Sequence, residues 1–514
     1  MQYTHIRRAL LSVFDKTGLL PLAHSLHALG VEILASGGTA VALIEQGIPV
    51  VKVEDFTGAK EVLGGRVKTL HPKIHAGLLA DRNNPEHQKD MHTEGYREID
   101  LVVCNLYPFA SYLAQGKSRD ALIEKIDIGG PTLVRAAAKN IDGGCTVLVD
   151  PSDYTSFAEE LQTHGGVSIR TRKTLAAKAF VQVAQYDAAI AQWALKEAGE
   201  APLFEVSGFA PGPVLRYGEN PHQKAQLFTQ PQEQGGVGCG VLLSGKELSY
   251  NNCLDMDAAY RAVHMLQGVG CSIVKHTNPC GFAQSHTQEH AFQAALEGDP
   301  VSAFGGIVGF NKDVTLATAQ AIKESKLFVE CIVAPGFQPE ALALLKQREN
   351  MRLFQVGAGN PHPSYHAHRI GGGLLVEEAD SGLNPAEEWR VVTHTPLQEG
   401  WLEELRFAMT ACLVLKSNAI TVTSQQRLRG AGAGHMSRVD ATMQALSKAG
   451  AHAQGAFMAS DAFFPFNDCV QLAHQAGIVA IVQPGGSKRD QESIDACNTH
   501  GIAMVFTGRR HFKH

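Results

Sequence analysis

Several features that would mark a membrane, secreted or nucleic-acid-binding protein are missing from this sequence. No apolar run approaches the roughly 20 residues that a helix needs to cross a bilayer. The run from Ala9 to Phe14 that follows Arg7-Arg8 is broken at Asp15-Lys16, too short for the apolar part of a signal peptide. Positive charge is not in excess. With 45 lysines and arginines against 51 aspartates and glutamates the net charge is -6, which excludes general affinity for nucleic acid. The expected partners are small anions met by local Lys and Arg. Ten cysteines are scattered singly with no Cys-x-x-Cys, so their even number is no sign of disulfides in a chain this long. A reducing cytoplasm is the expected location. No low-complexity segment interrupts the 514 residues, which exceed one ordinary core and imply two to four domains.

What is present begins with alternation. Arg8 to Phe14, Val31 to Ala35 and Pro49 to Val53 read as strands, and Leu19 to Leu29 and Ala40 to Gln46 read as helices closed by Gly30 and Gly47. Strand-helix-strand-helix-strand implies a doubly wound parallel sheet. Leu101 to Leu106 and Cys145 to Val149 are apolar throughout, as strands buried on both faces are. A helical pattern from Thr171 to Ala198 ends at Gly199, and the periodicity stops around Glu200-Ala201-Pro202, where a domain boundary is expected.

Chemistry-bearing residues gather at the strand ends of this first domain. Ser36-Gly37-Gly38-Thr39 joins a strand to a helix, a pattern whose backbone N–H groups, hydroxyls and helix N-terminus suit a phosphate, and Lys16 lies at the same sheet edge. Gly64-Gly65-Arg66-Val67-Lys68-Thr69-Leu70-His71 sets cations behind flexible glycines. Asn105-Leu106-Tyr107 ends a strand, and Asp127 opens a helix that carries Lys139 at its other end.

In the second half Lys275-His276-Thr277-Asn278-Pro279-Cys280-Gly281 follows the apolar Ser272-Ile273-Val274. Neighbouring strand residues face opposite ways, so an ammonium and an imidazole here serve one ligand only if the backbone turns, and Asn278, Pro279 and Gly281 are turn formers. Gly430-Ala431-Gly432-Ala433-Gly434 reads as a glycine loop before a helix, with neither the spacing nor the acidic partner of a dinucleotide site. A core strand from Ala503 to Phe506 just before the final residues implies that the chain end is tied down. No sequence repeat is evident, although two similar α/β layers are compatible with the second half.

Together these stretches resemble one family along essentially the whole chain: the bifunctional purine-biosynthesis enzymes that are both phosphoribosylaminoimidazolecarboxamide (AICAR) formyltransferase and inosine monophosphate (IMP) cyclohydrolase. The resemblance is carried by S-V-F-D-K-T-G, A-S-G-G-T, G-G-R-V-K-T-L-H-P, C-N-L-Y-P-F and I-D-I-G-G, and then by L-R-Y-G-E-N-P-H-Q, E-L-S-Y-N-N, K-H-T-N-P-C-G, K-S-N-A, G-A-G-H-M-S-R-V-D and S-D-A-F-F-P-F. It implies a methylglyoxal synthase-like cyclohydrolase domain over 1–199. A formyltransferase domain over 200–514 follows, made of two cytidine deaminase-like subdomains near 200–375 and 376–514. It further implies a homodimer with formyl-transfer sites between subunits, 10-formyltetrahydrofolate as co-substrate, and no catalytic metal.

By family position, His276 is the base that takes a proton from a poorly nucleophilic aromatic amine, with Lys275 and Asn418 on the oxyanion or leaving-group side. Arg216, Tyr217, Asn252, Gly305 and Arg510 hold the nucleotide, and Phe463, Asp468, Phe512 and His514 line the folate and amine side. For ring closure, Lys68, Tyr107, Asp127 and Lys139 stabilise an alkoxide and move protons. The phosphate rests on Ser12, Lys16, Ser36, Gly37, Gly38 and Thr39, with Arg66, Thr69 and Asn105 nearby.

Three positions depart from the family pattern: Phe14 stands where a second serine is common, His435 where glutamine is usual, and Lys513 where arginine is. Two rival readings are weaker. A zinc deaminase needs His-x-Glu and Pro-Cys-x-x-Cys, whereas His276 is followed by Thr277-Asn278 and Cys280 by Gly281-Phe282-Ala283. A nucleotide sensor without catalysis leaves the second half of the chain unexplained.

Overall fold

A computed structural model describes residues 3–199, 209–230, 235–357, 362–380 and 382–514. The chain divides into two compact units, 1–210 with 230–232 and the remainder to 514. Residues 200–202, where the sequence places the boundary, lie outside the described residues.

The first unit is the doubly wound sheet. Strands β1 (Arg8–Val13), β2 (Glu32–Ala35), β3 (Val51–Lys52), β4 (Leu101–Asn105) and β5 (Thr146–Leu148) lie in the order β3-β2-β1-β4-β5, every pairing parallel. Helices α1 (Leu19–Ala28) and α2 (Gly37–Ile44) are the crossovers between the first three strands, and α3 (Gly129–Lys139) precedes β5. The apolar strands face one cluster around Leu11, Leu22, Leu26 and Phe157 and another around Leu10, Val102, Val134 and Ala137. Two expected boundaries move. Helix α2 starts three residues before Ala40, with Ser36 at its N-cap, and the third strand keeps only two residues because Val53 already begins a short helix.

The second unit contains β6 (Val241–Ser244), α4 (Tyr250–His264), β7 (Val269–Lys275), β8 (Asn278–Ser285), α5 (Gln288–Leu296), β9 (Gly306–Phe310), β10 (Val329–Ala334) and β11 (Arg352–Gln355). After the separate hairpin β12 (Tyr365–Ile370) and β13 (Gly373–Glu378) come β14 (Arg390–Val391), α6 (Trp401–Leu413), β15 (Ile420–Ser424), β16 (Arg427–Gly432) and α7 (Arg438–Ala449). The chain closes with β17 (Phe457–Ser460), α8 (Asp468–Gln475), β18 (Ala480–Gln483) and β19 (Ala503–Phe506). One 12-stranded sheet runs β6-β11-β10-β9-β7-β8-β16-β15-β17-β18-β19-β14.

This order is a duplication. Each half is a helix, an antiparallel hairpin, and then three strands of which successive pairs run parallel. Ser272 Oγ donates to Ala259 O at 2.7 Å, and Thr421 Oγ1 donates to Ala408 O at 2.9 Å. A Cβ added to Gly281 would stand 2.2 Å from Ala295 O, and one added to Gly430 would stand 2.1 Å from Ala445 O. Gly305 N donates to Phe328 O, as Gly455 N does to Gly477 O. The halves meet where Ala283 of β8 pairs with Arg427 of β16, and the stacked rings of Phe282 and Phe407, 5.7 Å apart, belong to an apolar cluster that draws on both halves.

Two sequence expectations are corrected here. Gly430, Ala431 and Gly432 are strand residues rather than a loop, and the missing side chains of Gly430 and Gly432 let α7 pack directly on β16. Pro279, Cys280 and Gly281 are likewise in strand β8, and Cys280 occupies a bulge between the pairs Val274–Pro279 and Ile273–Gly281. The expected subdomain division at 375/376 falls within β13.

Candidate active sites

In the first unit a cavity of about 830 Å³ opens at the C-terminal edge of the sheet, the end at which open α/β folds bind ligands. Its lining includes Ser12, Lys16, Ser36, Gly37, Gly38, Thr39, Arg66, Lys68, Thr69, Asn105, Tyr107 and Asp127. Glycines at the start of α2 keep its N-terminus open, and two ammonium groups bracket it. Lys68 Nζ lies 3.4 Å from where a Cβ of Gly37 would be, and Lys16 Nζ lies 4.0 Å from that of Gly38. Free helix N–H groups and two cations make an anion site. Glu61 pairs with Lys68 at 3.1 Å. Arg66 pairs with Glu124.

Other predicted residues act as supports. Thr39 is buried and its hydroxyl bonds Val13 N and O at 3.1 Å. Asn105 Oδ1 accepts from Phe14 N and Asp15 N at 2.7 and 2.9 Å, fixing the loop that carries Lys16. Asp127 Oδ1 accepts from Gly130 N at 2.9 Å at the start of α3. Burial raises the Asp127 pKa above the usual carboxylate value, outweighing the N–H groups of Gly130, Tyr107 and Gly129. Lys139 does not line this cavity: it ends the helix that Asp127 precedes, about 15 Å along the axis at 1.5 Å per residue. Lys125 was not foreseen. Its ammonium lies 5.0 Å from the Tyr107 ring centre and 5.8 Å from that of Phe14, a placement that a helix-end lysine in a charged stretch does not announce.

In the second unit the Lys275–Asn278 stretch is the tip of the β7–β8 hairpin. His276 and Thr277 both take left-handed backbone angles, φ 54 and 62, as a two-residue turn of this hand requires. The backbone turn that a shared ligand demands is therefore present. Lys275 Nζ donates to Phe304 O at 2.9 Å, next to Gly305. Asp255 Oδ1 accepts from Thr277 N at 2.6 Å, and three residues earlier on the same helix Asn252 closes a capping box with Ser249 and donates to Glu330 at 3.1 Å.

Asn278 Oδ1 accepts from Lys416 N at 3.0 Å, which joins the tip to the Lys416–Asn418 loop. Ser417 Oγ donates to the buried Asp461, and Ser417 N donates to Lys513 O at 2.8 Å, so the chain end is tied down at this loop. Asn418 is engaged within the chain. Its Oδ1 accepts from Arg438, and its Nδ2 donates to His435 O and Met436 O. Arg438 and Asp461 form a buried ion pair under the loop, and neither was singled out individually, because their importance lies in the pairing. Arg216 and Tyr217 pair by backbone with Leu248 and Tyr250, which brings two of the family stretches together. The Arg510 guanidinium lies 4.4 Å from the Phe512 ring centre, and Phe512 and His514 meet edge-on. Phe463 is part-exposed, two residues past Asp461, and Asp468 begins α8.

Cys280 Sγ donates to Ile273 O at 3.3 Å, and burial, with Asp299 adding to it, pushes the thiol up to about 12. Among the described residues no group of three or more His, Cys, Asp or Glu is placed to hold a metal ion.

The AICARFT/IMPCHase bienzyme family matches residues 137–448, and the MGS-like domain family matches 18–132. The bifunctional purine biosynthesis protein PurH of Ruminiclostridium cellulolyticum is 45% identical over 99% of this chain and 100% of its own. The chain belongs to the PurH family. The PurH proteins of Persephonella marina and Synechocystis sp. are each 46% identical, over 99% of this chain and all of theirs. Among solved structures, one titled "Crystal structure of ForH" aligns with 37% of this chain and 98% of its own at 36% identity, with a TM-score of 0.33. As a PurH family member the protein is a bifunctional formyltransferase and IMP cyclohydrolase, and its first unit is the methylglyoxal synthase-like domain of that family. No helix of the described residues is long and apolar enough to cross a membrane.

Proposed function

We propose that the two activities are divided between the two units, with ring closure in the Lys16–Lys68 cavity and formyl transfer at the His276 hairpin tip. The observation that carries this division is that each unit holds its own cluster of family-position side chains. The first has an anion site with a raised carboxyl beside it, and the second has an imidazole and an ammonium on one turn.

In ring closure the carboxamide nitrogen of the formylated nucleotide bonds to the formyl carbon, and water then leaves. Holding the two groups in contact supplies much of the rate. Ser12, Ser36, Gly37, Gly38 and the N–H groups of α2 take the phosphate with Lys16. Lys68 and Tyr107 stabilise the alkoxide, and Asp127, which holds its proton to higher pH than a surface carboxyl, is the proton carrier. Lys139, the fourth family-position residue for this step, ends the helix that Asp127 precedes and is not among the side chains that line the cavity.

In formyl transfer the amine nitrogen of AICAR bonds to the formyl carbon of 10-formyltetrahydrofolate, the bond to the folate nitrogen breaks, and tetrahydrofolate leaves. His276 takes the amine proton and Lys275 faces the oxyanion. Asn418, whose amide is engaged by Arg438 and two carbonyls, acts through the shape of the Lys416–Asn418 loop. Arg216, Tyr217, Asn252, Gly305 and Arg510 are the nucleotide side, and Phe463, Asp468, Phe512 and His514 the folate side.

The working form is a homodimer in the cytoplasm. Support comes from the β12–β13 hairpin, a two-stranded sheet of its own with Ile370, Leu374, Leu375 and Val376 exposed. Two strands alone are marginal in water, so a second copy covering these side chains accounts for them. The test of the whole reading is to supply AICAR and 10-formyltetrahydrofolate to the purified protein, with no other enzyme, and follow IMP. Accumulation of formylated nucleotide without IMP would remove the first unit's assignment, and no formylated product would remove the second unit's, with ring closure then read from formylated nucleotide supplied directly.

A further inference from the structure

His276 and Thr277 form the turn in a backbone region that non-glycine residues rarely enter and that is unfavourable for β-branched threonine. Such turns are ordinarily made by Asn-Gly or Gly-Gly. Something outside the turn must hold it, and one side chain does: Asp255, on α4, accepts the Thr277 N–H at 2.6 Å.

The duplicated half repeats the device. The tip of the β15–β16 hairpin is Gln425-Gln426, with φ 56 and 52, and Glu404 on α6 accepts the Gln426 N–H at 3.1 Å through both oxygens. The steps from Asp255 to Glu404, from His276 to Gln425 and from Thr277 to Gln426 are each 149 residues. A carboxylate beneath a left-handed tip is therefore how this fold secures the hairpin in both halves, and only one half carries a histidine there.

We infer that Asp255 is a positioning residue for formyl transfer, fixing through the Thr277 N–H the turn that presents the His276 imidazole to the substrate amine. This rests on the reading of His276 as the base. The carboxylate touches no reacting atom. It holds the backbone of the tip that carries His276, while Lys275 at the base of the same turn is tethered to Phe304 O. Glu404 holds an equivalent tip with no reacting group on it, which makes it an internal control for the purely structural part of the same contact.

The experiment measures formyl transfer and cyclisation of the formylated nucleotide separately in Asp255→Ala, Asp255→Asn, Glu404→Ala and His276→Ala. Misplacement of a catalytic group by about 1 Å costs on the order of 100-fold. Asp255→Ala is expected to lower kcat for formyl transfer by roughly that factor. The KM for AICAR and the cyclisation rate should stay as they were. Asp255→Asn, which keeps an acceptor oxygen for the Thr277 N–H, should recover most of the loss. Glu404→Ala should leave formyl transfer unchanged while lowering the melting temperature about as much as Asp255→Ala does. Should Asp255→Ala not fold, Asp255→Ser takes its place. Equal effects of Asp255→Ala and Glu404→Ala on formyl transfer, or an unchanged kcat in Asp255→Ala, would overturn the inference while leaving His276 as base. Full formyl transfer in His276→Ala would instead overturn the base assignment, and the positioning role with it.

Discussion

The ring of Phe14 meets the ring of Tyr107 edge-on at 5.4 Å, and the Lys125 ammonium stands over both. The residue that departs from the family serine is thus built into the cavity wall. Edge-to-face pairs contribute about 1 kcal/mol beyond their buried area. Phe14→Ser is expected to cost about that much stability, seen as a lower melting temperature, and to lower the KM of the cyclisation substrate by adding a hydroxyl on the phosphate side.

Removal of the ammonium at Lys68 should separate the activities. Electrostatic stabilisers of a developing oxyanion are worth about 100- to 1,000-fold. Lys68→Ala is expected to lose about that much cyclisation kcat. Formyl transfer, followed by tetrahydrofolate release, should be retained.

The converse holds at the other unit. His276→Ala should abolish formyl transfer while the formylated nucleotide, supplied directly, still closes to IMP. Loss of both activities in a folded variant, judged by an unchanged circular dichroism spectrum, would refute the division between units.

Asp127 gives a pH dependence of stability with a defined sign. Its folded pKa is raised by burial, so the folded state holds a proton that the unfolded state has released. Stability from this group is full below the unfolded carboxylate value and is lost as pH rises through the folded one. Asp127→Asn, which keeps an acceptor for Gly130 N, has no such loss. The melting temperature of the variant relative to the parent should therefore rise as pH climbs from the unfolded carboxylate value, about 3.9, through the raised folded one, and a flat difference would count against the buried carboxyl.

The exposed hairpin tests the dimer. Leu375→Glu, at a side chain 58% exposed in the single chain, should shift the sedimentation of the protein toward the monomer and lower formyl transfer with it, leaving cyclisation in place.

Much of the first unit could be read from sequence because a parallel sheet buried on both faces spells its strands in apolar runs. The phosphate loop was legible for a similar reason, since Ser36-Gly37-Gly38-Thr39 states both the helix start and its open N-terminus. Lys125 was not legible, because a cation over a ring is a relation between residues far apart in sequence. The Lys275-His276 turn was readable from the need to bring two side chains to one side. Its turn formers were misplaced, since Pro279 and Gly281 serve a bulged strand and a close helix contact instead. The duplication is legible through the family resemblance and not as a sequence repeat, because what repeats is hydrogen bonding and packing: Ser272 matches Thr421 and Asp255 matches Glu404, while the reacting residues have no counterparts.

The join between the two halves of the long sheet has a thermal consequence. Backbone pairing there is reduced to Ala283 with Arg427, while Phe282, Phe407, Val263, Leu266, Val414 and Leu428 close around it. A ladder of hydrogen bonds fixes register, whereas apolar contact is non-directional and weakens on cooling. Cold should therefore weaken the apolar part of this seam and leave more of the join to the polar ties Gln284–Gln426, Arg427–Glu297 and Lys448–Asp299. Since the His276 tip leans on Lys416 from across that seam, the formyl-transfer centre shares in any loosening there.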